Sequence, residues 1–134
     1  MKCSGKVAAL LLALLAAASW SFAADKKQLS DALAAVDANL KTPAGKQYDE
    51  RIGNEFAERY LPSIRQCKQS LPPGGSVEPF DMFLKLNAEG KVLDGLIYPE
   101  TQFAVCTRTA LLTAKFSAPP HGDYWINIHM QFKR

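Results

Sequence analysis

The sequence predicts an α+β fold, with helices packed on one face of a three-stranded antiparallel sheet. Three observations carry this expectation. Apolar residues recur at helical spacing between Leu29 and Leu71. Two strand-like stretches, Phe80–Leu86 and Val92–Tyr98, flank a glycine-bearing turn of hairpin length. After one more helical stretch the chain closes with an alternation nine residues long, from Tyr124 to Phe132. The composition agrees: a chain of 134 residues, 48% hydrophobic and 22% charged, has ordinary globular proportions and room for one core. Collagenous, low-complexity and wholly disordered classes are excluded on the same ground.

The amino-terminal residues form an export signal in this reading. Lys2 and Lys6 precede an unbroken Val, Ala and Leu stretch from Val7 to Ala18, and Ser21-Phe22-Ala23 sets small residues at the −3 and −1 positions of a cleavage site. Cleavage is expected after Ala23, with Ala24 as the neighbouring alternative, leaving about 111 residues. An uncleaved anchor is the competing reading, but Ser19, Trp20 and Ser21 interrupt the apolar run. Cys3 lies before that run, so it is not a lipid-bearing cysteine. The expected product is periplasmic, in a Gram-negative bacterium, with no membrane span after cleavage.

Residues 24–46 read as an N-terminal helix and linker. Leu29, Leu33, Val36 and Leu40 make a narrow stripe between Asp25 and Lys41, and Thr42-Pro43-Ala44-Gly45 ends it. The domain proper is expected over residues 47–134. Ile52, Phe56 and Tyr60 share a helix face; Pro62 opens a new turn, after which Ile64, Cys67 and Leu71 continue to the Pro72-Pro73-Gly74-Gly75 breaker. Phe80, Met82, Leu84 and Leu86 then line one face of a strand, and Asn87-Ala88-Glu89-Gly90 turns the chain into Val92–Tyr98. A helix capped near Thr101 is expected over Gln102–Phe116. In the last strand Tyr124, Ile126, Ile128, Met130 and Phe132 face one way, and Trp125, Asn127, His129 and Gln131 the other.

Charge and chemistry exclude several functions. The formal charge is +3, but setting aside Lys2 and Lys6 leaves 14 basic residues against 13 acidic ones, a net of +1. Such a chain lacks the basic surface that nucleic-acid binding requires. Of three cysteines, Cys67 and Cys106 remain after cleavage, separated by 38 residues. A disulfide is the plain reading in an oxidising compartment, and two separate buried thiols the alternative. Closing a loop of that length stabilises a fold by about 4 kcal/mol in the chain-entropy account. A metal site from His121, Asp123 and His129 can be drawn, but it lacks a ligand spacing signature. No G-x-S-x-G, phosphate loop or convergent set of titratable groups is visible, so neither catalytic residues nor a cofactor is expected.

The order Phe80–Leu86, Asn87-Ala88-Glu89-Gly90-Lys91-Val92, a helix, Phe116-Ser117-Ala118-Pro119 and a closing strand resembles the carboxy-terminal domain of TonB-like proteins. In that family a strand enters a D/N-x-x-G-x-V hairpin, a helix ends in F-x-x-P, and a final strand closes the sheet. Ile64-Arg65-Gln66-Cys67 and Cys106 resemble its two-cysteine subgroup, found at the ends of gliding-motility proteins, although Lys68 stands where that subgroup usually has an aromatic. The similarity covers roughly Leu61 to Arg134. It implies a TonB C-terminal-like fold in which the closing strand pairs with a partner's peptide.

The expected function is therefore a non-catalytic binding module of the cell envelope. It would recognise a protein or peptide through its last strand, with Trp125, Asn127, His129 and Gln131 as outward readers. The alternative is a periplasmic inhibitor or immunity protein against an exported toxin or cell-wall enzyme, a reading that rests on architecture alone.

Overall fold

The computed structural model describes residues 25–133; the expected signal, Met1 to Ala23, lies outside the described residues. Helix α1, Lys26–Leu40, starts in a reciprocal cap. The Asp25 carboxylate accepts the Gln28 N–H while the Gln28 side chain accepts the Asp25 N–H. Helix α2, Pro43–Arg59, follows almost at once, inside the stretch the sequence assigns to a linker. Thr42 caps it by accepting the Gly45 N–H. Gly45 lies so close to the Asn39 carbonyl that no Cβ fits between them, which lets the two helices meet at a sharp corner. Helix α3, Leu61–Gln69, begins with Pro62 in its first turn, as expected.

Strands β1, Phe80–Leu86, and β2, Val92–Tyr98, form the expected hairpin. Asn87 Oδ1 accepts the N–H groups of Glu89 and Lys91, and Gly90 takes a φ of +88°. Helix α4, Gln102–Leu111, is capped by Thr101 and ends five residues before Phe116. The expected last turn is lost to the sheet: Ala114 O accepts the Val92 N–H, Lys91 bridges to Lys115, and the Phe116 N–H donates to Gly90 O. Strand β3, Tyr124–Met130, stops short of Phe132.

The sheet is antiparallel in the order β2-β1-β3, so β1 is central and the closing strand stands at an edge. One face carries Phe80, Met82, Leu84 and Leu86 of β1 beside Ile97 of β2 and Tyr124, Ile126 and Met130 of β3. Helices α2, α3 and α4 cover it with Tyr48, Ile52, Phe56, Ile64, Phe103 and Leu111. Cys67 of α3 and Cys106 of α4 stand at bonding distance, their Cα atoms 5.7 Å apart.

The expectation that all helices lie on one face is corrected by α1. Phe83 and Leu96, neighbours across β1 and β2, point to the opposite face, and Ala32 and Val36 of α1 close over them with Leu29, Leu40 and Trp125 packed around. A second apolar patch on the sheet therefore makes α1 part of the domain: left uncovered, Phe83 and Leu96 would be exposed to water. No helix among the described residues is long and apolar enough to cross a membrane.

Candidate functional site

The α1–α2 corner wraps the outer edge of β3. Asn39, in the last turn of α1, donates its side-chain amide to the Trp125 carbonyl at 3.1 Å. That carbonyl therefore points away from β1, and the alternation of an antiparallel ladder aims the N–H and C=O of Asn127 and His129 to the same outer side. There they face a cavity of about 270 Å³ walled by Ile52, Gly53 and Phe56 of α2. A Cβ on Gly53 would meet nothing within 4 Å, so this helix face leaves open space beside the strand.

The four residues expected to read a partner do not act as one row. Trp125 is only partly exposed, because α1 covers the face on which it stands; its ring belongs to the second apolar cluster. This corrects the expectation of an outward tryptophan. Asn127 is half-buried, and its Nδ2 lies 3.5 Å from Asp81 Oδ1 on β1. His129 is exposed, with Nδ1 2.9 Å from the same carboxylate oxygen. Gln131 lies beyond the end of β3 and lines a separate open cleft with Lys68 and Glu78. The structure thus brings Asn127 and His129 together, removes Trp125 to the packing beneath α1, and sets Gln131 apart.

Asp81 joins Asn127 and His129 in this cluster, a grouping that spacing along the chain does not show. Its partners come from β3 by register alone, since Asp81 pairs with His129 and neighbours Asn127 diagonally. It also opens onto a second cavity, of about 430 Å³, between the first turns of α1 and the sheet. Leu29, Leu33, Phe83 and Tyr98 give this cavity apolar walls, Asn127 and Asp81 mark its polar end, and Lys26 and Ser30 stand on its helix side.

Behind the β3 edge, Tyr48 of α2 packs edge-on against Tyr124, with ring centroids 5.2 Å apart, and donates its hydroxyl to Ser117 O at 2.7 Å. Burial, and after it the Glu55 carboxylate, push the Tyr48 hydroxyl well above the ordinary phenol range. Burial, with a smaller contribution from Asp49, moves Tyr124 in the same direction. Both rings are held neutral as packing groups. Among the described residues no group of three His, Cys, Asp or Glu side chains could hold a metal ion. His121, one of the ligands considered, instead directs Nδ1 to Gly122 O and stacks edge-on with Tyr124.

Compared with family models, with curated proteins and with solved structures, the chain gives no match.

Proposed function

We propose that this chain is a non-catalytic, TonB-like protein-binding module of the bacterial periplasm, taking a protein or peptide partner on the outer edge of β3. One observation supports it above the rest. The outward backbone groups of Asn127 and His129 face an open cavity, whereas the outward carbonyl of Trp125 is already taken by Asn39. A short extended segment entering beside Asn127 and His129 would satisfy those groups, and His129 would meet its side chains. Trp125 in this reading supports the edge from beneath and does not read the partner.

The experiment has two stages. The mature protein is used to capture its partner from a periplasmic extract, and the captured protein is identified by mass spectrometry. Binding is then compared for His129→Pro and His129→Ala. Proline removes an N–H that points away from β1, so the fold survives while strand pairing at the edge is lost. Pairing through the edge predicts that His129→Pro weakens binding at least ten-fold, by about 1.4 kcal/mol or more, beyond the effect of His129→Ala. Equal affinities for the two variants would place the interface elsewhere. A captured exported toxin or cell-wall enzyme would turn the reading toward inhibition.

A further inference from the structure

The cavity under the start of α1 shares Asn127 with the cavity at the β3 edge but has a chemistry of its own. Four large hydrophobic residues of the described chain are conspicuously exposed, and two of them, Leu33 at 47% and Tyr98 at 63%, stand at this one cavity. Phe83 forms its floor and Leu29 a side wall. The Asp81 carboxylate also lines it, and its one ion-pair neighbour among the described residues is His129, a group charged only when protonated. Water-exposed apolar walls beside a carboxylate suit a ligand that is apolar along its length and positive at one tip.

We propose that this cavity binds a small amphipathic monocation: an aryl or alkyl group seated against Leu29, Leu33, Phe83 and Tyr98, with an ammonium head on Asp81. The Tyr98 ring adds a face on which a cation or an aromatic ring can lie. About 430 Å³ falls within the range of small-molecule sites, and a phenylalkylamine fits that volume with room to spare. Lys26, on the helix side, is the one lysine bordering the cavity, and it opposes a second positive charge on the ligand. A single positive head is therefore favoured over two.

The test uses three probes that share a body and differ at the head: 4-phenylbutylamine, 4-phenylbutanol and 4-phenylbutyrate. Each is titrated into the full mature protein, with calorimetry for affinity and amide chemical shifts for location. The amine is expected to bind at least about ten-fold more tightly than the alcohol, the difference a charge-assisted hydrogen bond supplies, with the carboxylate weakest. The shifts should centre on the amides of Phe83, Tyr98 and Asn127. Asp81→Asn, at a partly exposed position that the fold does not need charged, should bring amine and alcohol to within about two-fold of each other. Asp94→Asn should keep the preference, Lys26→Ala should strengthen amine binding, and Leu33→Asp should weaken the alcohol. Equal binding of amine and alcohol by the wild-type protein overturns the proposal. So does a preference that survives Asp81→Asn, a set of shifts centred elsewhere, or no saturation by the amine below about 10 mM.

Discussion

The Glu55 carboxylate receives both donors of Ser117: the backbone N–H at 2.9 Å and the side-chain hydroxyl through a second, short contact. Glu55 lies on α2 and Ser117 in the loop after α4, 62 residues later. Glu55 is buried and Ser117 half-buried, so the loop that pairs with the hairpin turn is fastened to α2. Truncation to Glu55→Ala leaves two donors unsatisfied and should cost about 2–3 kcal/mol in urea unfolding. With Ser117→Ala the double-mutant cycle should return a coupling of about 1–2 kcal/mol. A coupling near zero would mean that the loop is held by packing alone.

Tyr48 gives the fold an alkaline limit. Its folded-state hydroxyl titrates above the unfolded one, so the unfolded chain loses its proton first as the pH rises. The stabilisation is complete below about pH 10, where the unfolded phenol is still neutral, and is lost progressively above it. Tyr48→Phe removes the hydrogen bond to Ser117 O at a cost of about 1 kcal/mol near neutrality and should flatten the stability curve above pH 10. Denaturant midpoints measured across that range check both parts. An alkaline decline of unchanged slope would assign the loss to other groups, Tyr124 first.

Phe83 holds α1 to the sheet. It is 5% exposed and sits at the centre of the cluster formed with Ala32, Val36 and Leu96. Phe83→Ala should cost about 3–4 kcal/mol and speed hydrogen exchange in α1 more than in α3 or α4, which pack on the other face. Uniform acceleration across all helices would mean that the two faces unfold as one unit.

The link between Cys67 and Cys106 joins α3 to α4 across the helical layer. The double variant Cys67→Ala/Cys106→Ala should lose about 4 kcal/mol, and reduction of the native protein should produce a loss of similar size. Free-thiol titration of the unreduced chain from residue 24 onward should find none.

The strands were legible because Phe80, Met82, Leu84 and Leu86 alternate cleanly, and because a glycine at residue 90 answers a turn that needs positive φ. The last helix was legible from its cap, Thr101, whereas Thr42-Pro43-Ala44-Gly45 reads as the end of α1 and is in fact also the start of α2, with Thr42 as its cap. The second covered face is also written in the chain. Phe83 breaks the alternation of β1, and Leu96 and Trp125 repeat the exception on its two neighbours, so the supposedly outward face carried an apolar residue on every strand. The early end of α4 had no such local sign. Residues 114–116 pair with Val92, Lys91 and Gly90, partners that only the folded sheet supplies. Asp81 was invisible for the same reason: its neighbours His129 and Asn127 are set by strand register, which spacing along the chain does not encode.

The hydrogen bond from Asn39 to the Trp125 carbonyl bears on how this protein behaves in a crowd. An open sheet edge invites a second copy of the same strand, and repetition of that pairing builds fibrils. Here the α1–α2 corner occupies the start of the β3 edge, and the face of α2 overhangs the rest, leaving room for only a short guest. Another whole sheet has no runway along this edge. The corner thus guards the β3 edge against self-pairing, and Asn39→Ala should reveal this as faster aggregation at high concentration, seen by light scattering before any loss of helicity.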